Sequence, residues 1–134
     1  MAKRFLIDTS AIIKYLNGVL PEEGLLFMDG VVTAERTISF VSGIELLSWI
    51  PTDQNDFKIY QFFVSQSIII GIDSNIIKET IRIRREFKVK LPDALIAATA
   101  IVKNLTLIAD NDKDFLKVPK LKYFNPRIFK DRRG

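Results

Sequence analysis

Residues 5–16, Phe5-Leu6-Ile7-Asp8-Thr9-Ser10-Ala11-Ile12-Ile13-Lys14-Tyr15-Leu16, decide how the rest of the chain is read. Three consecutive apolar residues suit a short buried strand. Ile12, Ile13 and Leu16 then recur at helical spacing, and Asn17-Gly18 closes the pattern. Asp8 stands at the junction, so the unit is a strand that ends on a carboxylate and turns at once into a helix.

Working outward, the same unit recurs. Residues 37–41 alternate polar and apolar in strand fashion, and Ser42 opens a helix carrying Ile44, Glu45, Leu46, Leu47 and Trp49. Residues 67–72 read as a third buried strand, and Asp73-Ser74 then starts a long helix with the stripe Ile76, Ile77, Thr80, Ile83 and Phe87. Leu91-Pro92-Asp93 opens an alanine-rich helix to about Lys103, residues 105–109 form a fourth strand and residues 121–124 a short fifth. Two further helices fill the gaps. One starts at Pro21-Glu22-Glu23 and stops at Asp29-Gly30; the other is capped by Asp53 or Asn55 and carries Phe57, Tyr60, Phe63 and Val64. Alternating strands and helices predict an α/β/α sandwich with a four- or five-stranded, mainly parallel sheet, whose ligand sites lie outside the carboxyl ends of the strands. Asp8 and the cluster from Asp110 to Asp114 are therefore expected on one edge. One domain over residues 1–126 is expected, followed by a basic tail, 127–134, with fraying from Asn125 onward.

The chain of 134 residues is 48% hydrophobic and 27% charged, enough apolar material for one core. No apolar run approaches the roughly 20 residues of a membrane span, and Asp8 interrupts the signal-like start after three apolar residues. A soluble, cytoplasmic protein with no membrane partner is the expectation. With no cysteine and no histidine, disulfides, thiol nucleophiles, thiolate zinc sites and imidazole bases are excluded. Catalysis has to run on carboxylates, hydroxyls, lysines or a bound metal. A net charge of +4 favours a polyanionic partner without specifying one.

Helix capping explains each acid individually: Asp8 ahead of the first helix, Ser42-x-x-Glu45 as a capping box, Asp93 at an N-cap, and Asp110, Asp112 and Asp114 as turn residues. The combination asks for more. Asp8 follows three apolar residues and Glu45 lies among Ile44, Leu46 and Leu47, so both are expected to be partly desolvated. Carboxylates gathered in such surroundings repel, and a cation resolves the repulsion. An all-oxygen set points to a hard ion, Mg²⁺ or Mn²⁺. Such an ion activates water and stabilises charge on a phosphoryl oxygen.

These residues resemble the PIN-domain family. Residues 5–10 look like its opening motif, Ser42-Gly43-Ile44-Glu45-Leu46 like its second acidic motif, residues 90–100 like its third and most distinctive one, and Asn111-Asp112-Lys113-Asp114-Phe115 like its fourth. The resemblance covers nearly the whole chain in order. It implies a parallel sheet flanked by helices, Mg²⁺- or Mn²⁺-dependent endoribonuclease activity, and metal ligands at Asp8, Glu45 and Asp93. Asp114 is the fourth candidate, with Asp112 and Asp110 in reserve. Length and the lone domain resemble the VapC toxin branch, which implies RNA as substrate, a small antitoxin as partner and a homodimer. Two positions depart from the pattern: Ala109 where threonine is common, and Asn111 where an acid is often found. Thr9, Ser10 and Asn111 are candidates to hydrogen-bond a ligand carboxylate or a water.

Arg82, Arg84, Arg85, Lys88 and Lys90 before the third motif, and Arg127, Lys130, Arg132 and Arg133 at the end, are either solvated faces or phosphate contacts. Phe57, Tyr60, Phe62 and Phe63 read as core or subunit interface. A haloacid-dehalogenase-like phosphatase fails because Ser10 stands where it needs an aspartate, and a receiver domain calls for neither Glu45 nor Asp93. A non-catalytic PIN-like scaffold and a DNA-directed nuclease are the remaining alternatives.

Overall fold

Side-chain alternation along two central strands divides the interior into two cores. β1 (Phe5–Ile7) runs parallel to β4 (Thr106–Ile108), with Leu6 opposite Leu107 and Ile7 opposite Ile108. Because successive strand residues point to opposite faces, Leu6 and Leu107 enter one core while Ile7 and Ile108 enter the other. All four of these side chains are fully buried. The computed structural model describes residues 3–129. β5 (Tyr123–Phe124) extends the sheet beyond β4, and β2 (Thr37–Ser39) pairs with β3 (Ile68–Ile70); every pairing is parallel. β1 and β2 pack side by side, bringing the two hydrogen-bonded groups, β1-β4-β5 and β2-β3, into one layer.

The first core lies under α5 (Ser74–Glu86) and α6 (Leu91–Val102) and joins Ile76, Ile83, Ala94, Ala97, Ala98 and Phe115 to Leu6 and Leu107. Alanine on the buried face of α6 lets α5 approach closely. The second core gathers Ile12 from α1 (Thr9–Leu16), Met28, Val31 and Val32 from α2 (Glu22–Ala34), Leu46 from α3 (Phe40–Ser48), and Tyr60 and Phe63 from α4 (Gln54–Ser65). Asp53 and Asp73 cap α4 and α5 through the Asn55 and Ile76 N–H groups at 2.9 and 2.8 Å. The predicted α/β architecture with parallel strands between helices is observed, the expected four- or five-stranded sheet being realised as a three-stranded and a two-stranded hydrogen-bonded group. Among the described residues, no helix is long and apolar enough to cross a membrane.

Several boundaries differ from expectation for identifiable reasons. α2 passes through Asp29-Gly30 because burying Val31 and Val32 outweighs the helix penalty of glycine. β3 is an edge strand, not a buried one: Ile68 and Ile69 are about half exposed, and only β2 pairs with it. β2 stops at Ser39, whose side chain accepts from the Val41 N–H at 3.1 Å and so caps α3. Ser42 and Glu45 therefore lie inside α3, and Glu45 is not part of a capping box.

Fraying does not begin at Asn125. That residue caps a 3₁₀ turn, Pro126–Ile128, by accepting from the Arg127 N–H at 2.9 Å, and Pro126 is buried. The turn packs on α2 where Gly24 leaves room. A Cβ on Gly24 would stand 2.8 Å from the Pro126 carbonyl oxygen. Of the basic residues expected to form the tail, Arg127 belongs to this ordered turn, whereas Lys130, Arg132 and Arg133 lie outside the described residues.

Candidate active site

The parallel pairing of β1 with β4 brings two acid-bearing loops to one sheet edge. The Asp8 N–H donates to the Ile108 carbonyl at 2.8 Å, and the Asp110 N–H donates to the Ser10 hydroxyl oxygen at 3.0 Å. Asp8 is 4% exposed and caps α1, accepting from the Ser10 N–H at 3.0 Å and from the Ser10 hydroxyl. Burial pushes its carboxyl above the usual range and the Glu45 charge adds to the rise, while the Ser10 hydrogen bonds oppose it.

Glu45 comes from the interior of α3. The expectation that it is desolvated is corrected: it is exposed, as are Ile44 and Leu47, because only Leu46 of this run faces the core. The Thr9 hydroxyl holds it, donating to Glu45 Oε1 at 2.7 Å while lying 2.9 Å from the hydroxyl oxygen of buried Ser42. The link between the first two motifs is thus a hydroxyl pair, of which sequence reading singled out only Thr9.

Asp93 sits in the first turn of α6, two positions after its first residue, with Lys90 at the N-cap. It makes no cap hydrogen bond, so capping does not account for it. Burial first, then the negative charges of Asp8, Asp114 and Glu45, push Asp93 up to about 6. These three acids each come from a different element. Asp114 is carried by α7 (Asp112–Phe115). The Asn111 amide holds the Asp114 carboxyl below the usual range against some desolvation, with Lys117 contributing at 3.6 Å. Asn111 joins the two acids: its Nδ2 donates to Asp93 Oδ2 at 3.3 Å and to Asp114 Oδ2 at 3.2 Å.

The reserve acids are drawn elsewhere. Asp110 pairs with Lys14 and, at 3.3 Å, with Arg127, and accepts from the Asn125 amide at 2.9 Å. These bonds outweigh its desolvation and keep its carboxyl below the usual range. Asp112 is exposed and is held by the Tyr123 hydroxyl and the Asn125 amide. Asp110 and Asp112 line an open cleft of about 530 Å³ with Tyr123, Asn125 and Arg127. Lys14, Asn125 and Tyr123 gave no sequence signal, since only the closed sheet brings them to this edge.

The four acids offer oxygen donors and repel one another, which suits a hard divalent cation. Among the described residues, no three of them stand together as a ligand shell. Burial and, after it, this repulsion have a consequence for stability. Asp8 and Asp93 titrate higher in the folded than in the unfolded chain, so the folded state keeps protons that the unfolded state has released. Without divalent ions, stability should therefore rise as pH falls from 7 to about 5, by about 1 kcal/mol from Asp93 after allowance for solvent screening. The lowered acids, Asp110, Asp112 and Asp114, titrate below this window and do not cancel the trend. Melting curves in EDTA at pH 7, 6 and 5 check it; no rise, or one unchanged in Asp93→Asn, refutes the raised Asp93 carboxyl.

Comparison with known proteins converges on one family. The sequence matches the PIN-domain family model over residues 5–121. No curated protein matches it significantly. Among solved structures, it is similar to a toxin–antitoxin complex from Klebsiella pneumoniae at 27% identity, with 90% of this chain and 96% of that chain covered and a TM-score of 0.70. VapBC2 from Rickettsia felis, bound to a promoter DNA fragment, aligns at 22% identity over 90% and 97% of the two chains with a TM-score of 0.76. DNA-bound VapBC from Salmonella typhimurium aligns at 21% identity over 93% and 99% with a TM-score of 0.77. A family model spanning β1 to Leu121, just ahead of β5, leaves one assignment: this chain belongs to the PIN-domain family.

Proposed function

We propose that the protein is a metal-dependent endoribonuclease and the toxin of a toxin–antitoxin pair, working in the cytoplasm. The observation that carries the nuclease reading is the convergence of Asp8, Asp114 and Glu45 on Asp93, whose carboxyl is pushed up to about 6 by burial first and then by those three charges. Similarity to toxin–antitoxin complexes supports a small antitoxin as partner, and the family resemblance supports a homodimer.

Asp8, Glu45, Asp93 and Asp114 would hold Mg²⁺ or Mn²⁺. When bound, such an ion supplies an activated water and neutralises charge on a phosphoryl oxygen. The chain's own residues prepare the place. Ser10 fixes the Asp8 carboxylate, Thr9 orients Glu45, and Asn111 spaces Asp93 from Asp114. Lys88, Lys90 and Lys113 are exposed beside the third and fourth motifs and are available to RNA phosphates. Arg82 is less available, being tied to Glu79 and Glu86.

The test is cleavage of a mixed-sequence single-stranded RNA by purified protein with Mn²⁺, Mg²⁺ or EDTA, beside a DNA of matched sequence. Divalent-dependent RNA cuts that EDTA abolishes are expected. A folded protein that binds RNA without cutting it would favour the scaffold reading, and cutting confined to DNA would redirect the substrate assignment.

A further inference from the structure

Tyr123 belongs to none of the acidic motifs, yet its hydroxyl meets the loop beneath them at three points. It stands on β5, opposite Leu107 of β4, and its ring packs against Phe115 with centroids 5.8 Å apart. Its hydroxyl oxygen accepts from the Asn111 backbone N–H at 3.1 Å. The same hydroxyl faces the Ala109 carbonyl oxygen at 3.1 Å and Asp112 Oδ1 at 2.5 Å, and its single proton serves one of them at a time.

The residue held in this way reaches the candidate ligands. Asn111 has φ −156° and ψ 67°, outside the regular helix and strand regions, so its backbone direction depends on these local bonds. Its side chain donates to Asp93 and Asp114, and its Oδ1 accepts from the Asp114 N–H at 3.4 Å. The Asn111 N–H is part-buried, and replacing the phenol by a phenyl ring would leave it without this acceptor.

We propose that Tyr123 is a positioning residue of the acidic site: its hydroxyl orients the Asn111 backbone, and the Asn111 amide thereby sets the relation of Asp93 to Asp114. The inference deepens the metal-dependent reading above and rests on it. It assigns Tyr123 a role that ring packing alone would not require, since phenylalanine fills the same volume against Phe115.

The experiment measures Mn²⁺ affinity by calorimetry, without RNA, for the full-length wild type, Tyr123→Phe, Asn111→Ala and the double variant. Ile83→Val, at a buried position of α5, serves as a control for loss of stability. Tyr123→Phe should bind Mn²⁺ about tenfold more weakly, the range expected when a partner of a metal ligand is lost. The double variant should be no weaker than Asn111→Ala, because Tyr123 acts through Asn111. Ile83→Val should bind like the wild type. Tyr123→Phe binding like the wild type, or losses that multiply in the double variant, would overturn the positioning role alone. A wild type that binds no Mn²⁺ would overturn the metal-dependent reading together with this inference. Hydrogen exchange gives a check that needs no variant: the wild-type Asn111 amide should be protected, and exchange at the rate of an unstructured chain would sink the proposal.

Discussion

Asp93→Asn is expected to reduce RNA cleavage about a thousandfold, or about 4 kcal/mol of transition-state stabilisation, while the protein becomes slightly more stable in EDTA. The two effects share one cause. At neutral pH the Asp93 carboxylate is raised by burial and by Asp8, Asp114 and Glu45, so its charge costs the empty site stability that a neutral amide recovers. The same charge is what a divalent ion would bind. Asparagine retains an oxygen that can accept from Asn111, so the site keeps its shape and loses its charge. Cleavage assays beside melting curves decide the matter. A variant that melts markedly lower would show that Asp93 is structural, and one that cleaves at the wild-type rate would remove it from the site.

Asp8 should separate its two roles when replaced in two ways. Asp8→Asn keeps an acceptor for the Ser10 N–H and therefore the cap on α1; it should lose cleavage as severely as Asp93→Asn with little change in melting temperature. Asp8→Ala removes charge and cap together, leaving the part-buried Ser10 N–H without its acceptor, and should cost a further 1–2 kcal/mol or so of stability. Thermal and urea melts of the pair, with RNA cleavage measured alongside, test this. Equal melting of the two variants would mean that the cap contributes nothing, and retained cleavage in Asp8→Asn would mean that the carboxylate does nothing but cap.

Both experiments turn on a distinction that composition and spacing could not draw. Capping and ligation call for the same residue types in the same places, so each acid had two explanations until its partners were visible. Asp8 proved to cap while lying among other acids. Asp93 proved not to cap, and Glu45 turned out to be inside α3, because that helix begins at Phe40. Helix ends were misplaced wherever burial overrode local preference, as in α2 at Gly30, and strand β3 was read as buried because three isoleucines look alike at an edge and at a centre.

What the sequence determined by itself was the order of elements and the residues at their junctions. Apolar periodicity and turn chemistry are local properties, and Phe5-Leu6-Ile7-Asp8 announces a strand ending in an acid however the chain later folds. What the tertiary structure decided was which acids meet. Asp110 and Asp114 are four residues apart and of the same residue type, yet Lys14, Asn125 and Arg127, distant in the chain, claim the first, while Asn111, which also donates to Asp93, holds the second in the site. Carboxylates are told apart by the charges and donors around them, and those neighbours exist only once the sheet has closed.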